Sequence, residues 1–189
     1  LSQSTKDGDL SAIIVENLPF WVNIHQTPNK EIRLMNNFEE KIKQMADIIA
    51  KEDVTNISGV PSWILVLFEK MLQNTGAKNM QEIWPNMQLY MHGGINFTPY
   101  REQFKRQFPN SINYLETYNA SEGFFGIQDL KNSEEMLLML DYGIFYEFIP
   151  MDKFSLENAI PIWEVQKNKN YALVITTNAG LWRYLIGDT

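Results

Sequence analysis

Apolar positions recur at helical spacing through residues 37–51, where Phe38, Ile42, Met45 and Ile49 fall on one face. Asn36 or Asn37 stands where a cap belongs, and Glu39 and Glu40 occupy the first turn, so this stretch predicts an amphipathic helix. A second helix opens at Pro61, runs through residues 63–72 and stops near Gly76. It is apolar on most sides and is expected to be well buried. A short helical turn over residues 80–84 ends at Pro85. The pattern then shortens. Residues 87–92 read as a strand, Gly93-Gly94 follows directly, and Pro99 opens a helix to Phe108 with Tyr100, Phe104 and Phe108 on one face. Residues 112–118 alternate apolar and polar like a strand, and the small, polar, glycine-bearing stretch after Tyr118 reads as a loop.

The middle of the chain therefore reads strand, helix, strand, with a glycine- or serine-bearing loop after each strand. Parallel strands would bring both loops to one sheet edge. From residue 136 the spacing changes. Residues 136–140, 144–149, 171–177 and 181–186 read as strands, with 141–143 and 178–180 as hairpin or bulge connections. The expected fold class is α/β, a mixed sheet with a parallel βαβ-like middle and an antiparallel C-terminal half. Nearer the N-terminus, residues 1–9 read as a loop and 10–15 as a short apolar strand or helical turn.

Composition narrows the function. The chain has 189 residues, is 44% hydrophobic and 21% charged, and fits one domain or part of a larger one. It contains no cysteine, which excludes a disulfide, a thiolate zinc site and a cysteine nucleophile, and fits a cytoplasmic setting. A formal net charge of −7 argues against nucleic acid as a partner. No apolar run reaches the ~20 residues that span a bilayer, so no membrane role is expected. His25 and His92 are the two histidines, and His25 has no second ligand near it in sequence. The first residue is Leu1 and the last are Gly187-Asp188-Thr189, which reads as a segment of a longer protein.

The chemistry concentrates after Tyr118. Within six residues lie an aromatic face (Tyr118), a hydroxyl (Ser121), a carboxylate (Glu122) and Gly123. An aromatic stacks on a base, a hydroxyl donates to a phosphate oxygen, and a carboxylate holds Mg2+ against that phosphate. The plainer alternative is a strand followed by a polar turn. Gly93-Gly94 allows a flat ligand to approach the backbone, or marks an ordinary tight turn. Ser58, Gly59 and Val60 precede the helix that starts at Pro61, whose N-terminus favours anions such as a substrate carboxylate. A simple loop-to-helix joint explains them equally well.

Tyr118-Asn119-Ala120-Ser121-Glu122-Gly123 resembles the Tyr-x-x-Ser/Thr-Glu nucleotide motif of the adenylate-forming superfamily. Four further stretches resemble one branch of it, in order: Gly59-Val60-Pro61-Ser62-Trp63, His92-Gly93-Gly94, Tyr146-Glu147-Phe148-Ile149-Pro150, and the run from Thr176 to Tyr184. That branch is the auxin-responsive promoter (Gretchen Hagen) family of acyl acid–amido synthetases. The resemblance implies a ligase that uses ATP and Mg2+ to adenylate a carboxylic acid and then passes the acyl group to an amine such as an amino acid. It implies that Tyr118 borders the adenine, with Asn119 and Ala120 beside it in the nucleotide motif. Ser121 would bond the α-phosphate, Glu122 would bind Mg2+, and Gly93 and Gly94 would lie along the adenine ring. Asp188 would accept from the ribose hydroxyls, while Val60, Pro61 and Trp63 would shape the acyl pocket.

Leu185 stands where many members carry an arginine, which bears on a phosphate contact from that position and not on Asp188. The resemblance places all 189 residues in the large N-terminal adenylation domain. It also implies an upstream Ser/Thr/Gly phosphate loop and a C-terminal domain outside this stretch, so the segment alone is expected to be inactive. Two alternatives remain: a thioester-forming ligase with coenzyme A as acceptor, and a non-catalytic binding module that keeps the fold.

Overall fold

The structure is a computed structural model that describes residues 16–131, 133 and 135–187. The expectations for residues 1–15 and for Asp188 lie outside the described residues. Two helical turns, Phe20–Asn23 and Lys30–Arg33, lead into α1, Phe38–Ile49, which the Asn37 side chain caps by accepting from the Glu40 amide at 3.1 Å. Helix α2, Pro61–Thr75, opens on proline and ends at Gly76, whose φ of 75° is the left-handed conformation that closes helices. Helix α3, Arg101–Gln107, starts two residues later than the Pro99 signal predicts.

Strands β1 (Asn56–Ser58), β2 (Leu89–Gly93) and β3 (Asn113–Ala120) are parallel neighbours, with α3 crossing from β2 to β3. The register sets Tyr90 beside Tyr114, His92 beside Glu116 and Gly93 beside Thr117. The expected βαβ unit and its shared edge are therefore present. The core behind it is aromatic. Tyr90 stacks on Phe104 at 4.4 Å, Phe68 meets Trp84, Phe104 and Phe108 edge-on, and the Trp84 indole donates to the Ile49 carbonyl at 2.9 Å.

The C-terminal half departs from the expected pairing in three places. First, β3 does not end in a loop after Tyr118. It continues to Ala120, turns on Ser121 and Glu122, and returns antiparallel as β4, Gly123–Ile127. Gly123 belongs inside this strand because a Cβ there would lie 2.9 Å from both Ile144 Cδ1 and Phe125 Cε1. Second, residues 141–143 are not a hairpin. They carry the chain from β5 (Leu137–Leu138), the last strand of the first sheet, to β6 (Ile144–Pro150) in a separate sheet. Third, the expected strands over 136–140 and 181–186 narrow to β5 and to β9, Tyr184–Leu185.

The second sheet is fully antiparallel, in the order β7 (Ile160–Pro161), β6, β8 (Tyr171–Thr177), β9. Its inner face packs Tyr146, Leu173 and Ile175 against Phe125 of β4, and Tyr118 and Ala120 join that cluster. This burial fixes the second sheet against the C-terminal end of β3. Among the described residues no helix is long and apolar enough to cross a membrane.

Candidate nucleotide and acyl site

Two clefts meet at the C-terminal ends of β2 and β3. One, of about 660 Å³, lies between the sheets and is lined by Gly94, Asn96, Thr117, Tyr118 and Asn119 on one side and by Tyr171, Leu173 and Gly187 on the other. The other, of about 900 Å³, lies over Ser58, Gly59, Val60 and Gly93 and reaches the segment from Ile24 to Pro28. Gly94, Thr117 and Asn119 line both, so the clefts share a wall. Each volume lies in the range of small-ligand sites.

The shared wall is built by backbone packing. A Cβ on Gly93 would lie 2.4 Å from the Thr117 carbonyl oxygen, so the strands approach here only because residue 93 is glycine. Gly94 has φ 79°, with Val60 Cγ2 3.5 Å from its Cβ position, so its requirement is conformational instead of steric. The Thr117 hydroxyl donates to the His92 carbonyl at 3.2 Å and lies 3.4 Å from Asn119 Oδ1. Behind the wall His92 is only 3% exposed and stacks on Phe97 at 4.0 Å, and its Nδ1 is buried with no hydrogen-bond partner. Burial, reinforced by the nearby Arg101 charge, lowers its pKa to about 4, so the ring is neutral. Burial likewise pushes the Tyr90 phenol up, helped by Tyr114, and the phenol donates to the Gly59 carbonyl at 2.8 Å. That bond ties the floor of β2 to the loop before α2.

The structure gathers some of the expected site residues and separates others. Gly94 and Asn119 line both clefts, Tyr118 lines the first, and Gly93 and Val60 line the second. Ala120 packs into the core between the sheets. Ser121 is exposed and Glu122 half-buried at the hairpin tip, and neither is among the residues lining the clefts. Pro61 is buried as the first residue of α2. Trp63 is 52% exposed and meets Phe38 edge-on at 4.8 Å, outside both linings. Gly187, which precedes Asp188, lines the first cleft. His25 is exposed, and it lines the second cleft.

Sequence reasoning missed Glu116, Thr117, Tyr171 and Leu173 as cleft residues. Glu116 carried a readable signal, a carboxylate inside a strand. Tyr171 and Leu173 carried none, because they reach the cleft through the packing of one sheet on another. Among the described residues no group of three potential metal ligands comes together. Mg2+ that is held by one carboxylate, water and substrate phosphates needs no such group. Glu122, a half-buried carboxylate three residues past the cleft-lining stretch of β3, fits that requirement.

This fold is similar to those of two solved enzymes. The GH3.15 acyl acid amido synthetase superposes with a TM-score of 0.66 at 12% identity, over 85% of this chain and 38% of that one. A 2-hydroxyisobutyryl-CoA ligase superposes with a TM-score of 0.58 at 12% identity, over 78% of this chain and 31% of that one. The GH3 family N-terminal domain matches residues 1–112 and the GH3 family central domain matches residues 137–189. The chain belongs to the GH3 family.

Its relatives include the indole-3-acetic acid-amido synthetase GH3.3 of Arabidopsis thaliana, 27% identical over 191 residues that cover 95% of this chain and 32% of that protein. The putative indole-3-acetic acid-amido synthetase GH3.9 of the same plant is 33% identical over 157 residues, 72% of this chain and 24% of that protein. A jasmonoyl–L-amino acid synthetase GH3.5 of Oryza sativa subsp. japonica is 29% identical over 124 residues, 56% of this chain and 21% of that protein. The chain thus spans about a third or less of the length of these relatives.

Proposed function

We propose that this chain is part of the adenylation domain of a cytoplasmic, ATP-dependent acyl acid–amido synthetase. The observation that carries the reading is the shared wall of Gly94, Thr117 and Asn119, with one cleft on each side. An adenylating enzyme needs that arrangement. The nucleotide occupies one cleft, the acid the other, and the α-phosphate meets the carboxylate where they join. The relatives named as amido synthetases support the choice of reaction.

In the first step a carboxylate oxygen attacks the α-phosphorus. The bond to the bridging oxygen breaks and pyrophosphate leaves. In the second step an amine nitrogen attacks the acyl carbon, the bond to the phosphate oxygen breaks, AMP leaves and the nitrogen loses a proton. On this reading Tyr118 borders the adenine, the ring lies along Gly94 on the shared wall, and Gly93, which lines the second cleft, sets the close strand approach behind it. Asn119 and Ala120 hold the turn into the hairpin. Ser121 donates to the α-phosphate, and Asp188, next to the cleft-lining Gly187, accepts from the ribose hydroxyls. Val60 borders the acid, and Pro61 acts by fixing the start of α2. Trp63 enters this pocket only if its edge-on contact with Phe38 of α1 opens. Mg2+ bound at Glu122 would supply charge neutralisation at the phosphate under attack.

On this reading the carboxylate of the acid lies against Ser58, Gly59 and Val60, the loop before α2 that lines the second cleft. A thioester-forming ligase is the second reading, favoured by the shared fold with the 2-hydroxyisobutyryl-CoA ligase. The test of the assignment is Glu122→Gln in the full-length protein. Acid-dependent ATP–pyrophosphate exchange should fall by roughly a hundredfold or more, while ATP binding falls far less, because such a contact acts mainly as charge develops. Exchange at the wild-type rate would leave the hairpin tip as a plain turn.

A further inference from the structure

We infer that Arg183 is a positioning residue for the nucleotide cleft, acting through the short strand β9 without touching the ligand. Its guanidinium forms a fork on Glu147, with Nε donating to Oε2 at 3.0 Å and an Nη 3.0 Å from Oε1. The same Nη donates to the Leu156 carbonyl at 2.9 Å, and the Arg183 backbone amide donates to the Thr176 hydroxyl at 3.0 Å. Four contacts to three groups, each on a different element, therefore hold one residue.

The backbone explains why such a hold is needed. Arg183 has φ 42°, a left-handed conformation that side-chain-bearing residues avoid unless their surroundings impose it. It stands immediately before β9, which is an edge strand of two residues. From there the route to the cleft is short. Leu185 pairs with Val174, the Ile186 amide donates to the Leu173 carbonyl at 3.1 Å, and Leu173 and Gly187 then line the cleft between the sheets.

The fork itself lies outside the cleft linings. Glu147 pairs with Val174, whose cluster with Ile149 and Ala172 is separate from the one that faces Phe125. Neither Arg183 nor Glu147 lines a cleft. An exposed ion pair of ordinary geometry would carry little weight. This one is two-pronged, its carboxylate side chain is only 16% exposed, and it stabilises a strained backbone at the start of the segment that delivers Gly187.

The link to nucleotide rests on the functional reading above, and the experiment separates the two. In the full-length protein, Arg183→Lys keeps the charge and loses the fork, and Glu147→Gln keeps the shape and loses the charge. Amide hydrogen exchange at Ile186 should accelerate about tenfold or more in both, while amides at the centre of β8 keep their protection. Unchanged exchange at Ile186 would overturn the proposal whether or not the protein binds ATP. In pyrophosphate exchange, KM for ATP should rise about fivefold or more with kcat within roughly twofold. An accelerated Ile186 with an unmoved KM, in a protein whose wild type is active, would overturn the link to the cleft. A wild type inactive with every acid would refute the functional reading, and Ile186 exchange would still decide whether Arg183 positions β9.

Discussion

Replacing Gly93 with alanine tests how the site is built. The added Cβ would lie 2.4 Å from the Thr117 carbonyl oxygen and 3.0 Å from its hydroxyl oxygen. Ordinary carbon–oxygen contacts begin near ~3.3 Å, so β2 and β3 must part by close to ~1 Å at this register. The obstacle is backbone, which has no rotamer to yield. Overpacking of this kind costs about 1–3 kcal/mol. The parting also stretches the neighbouring ladder bonds and the 3.2 Å bond from Thr117 to the His92 carbonyl. With a hydrogen bond contributing about 0.5–1.5 kcal/mol, the total expected loss is roughly 2–4 kcal/mol. Gly94→Asn is the control. Its Cβ meets only Val60 Cγ2, at 3.5 Å, and asparagine tolerates a positive φ, so the cost should be under about 1 kcal/mol. The assay is urea unfolding of the full-length protein at constant slope, combined with ATP affinity. Gly93→Ala should lower the midpoint and weaken ATP binding together. A variant as stable as the wild type, or no worse than Gly94→Asn, would refute the close-approach reasoning.

Two further predictions concern the scaffold. The folded pKa of His92, near 4, lies below the ordinary 6.5, so the unfolded chain takes up a proton at pH values where the native state does not. Its contribution is fully present above pH 6.5 and is lost as pH falls toward 4. At about 1.4 kcal/mol per pKa unit the loss approaches ~3 kcal/mol. His92→Phe should flatten that part of the stability–pH curve, and an unchanged slope would show that the histidine is not the source. Trp84→Phe removes the indole bond to the Ile49 carbonyl, which keeps its bond from the Glu52 amide at 3.3 Å, so the expected cost is that of one hydrogen bond, about 0.5–1.5 kcal/mol. An unchanged denaturation midpoint would show that the indole bond adds nothing to the Glu52 amide's bond to the same carbonyl.

Local punctuation was the most legible part of the chain. Pro61 and Gly76 bound α2 at the two places where backbone chemistry leaves few choices, and Asn37 caps α1. Residues 171–177 were legible as a strand because Tyr171 to Thr177 is bounded by turns on both sides. Partner choice was not legible. Alternation reports which faces a strand has and not which sheet it joins, so residues 141–143 read as a hairpin when they cross between sheets. The Ser121-Glu122 turn read as the start of a loop because Gly123 and Gly126 look like loop residues. Gly123 is instead a strand residue, made small by Ile144 from the other sheet, a neighbour 21 positions away. The site divides in the same way. Gly93, Gly94, Tyr118 and Asn119 sit on strand ends that local pattern locates, whereas Tyr171 and Leu173 arrive through tertiary packing alone.

The central claim is that one wall separates a nucleotide cleft from an acid cleft in an amide-forming enzyme. It is tested most directly by ATP–pyrophosphate exchange with the full-length protein across a panel of carboxylic acids, followed by product analysis with amino acids or coenzyme A added. The account predicts exchange that requires an acid and needs no amine, and an amide with AMP once an amino acid is supplied. Absence of exchange with every acid, or a thioester as the sole product, would contradict it.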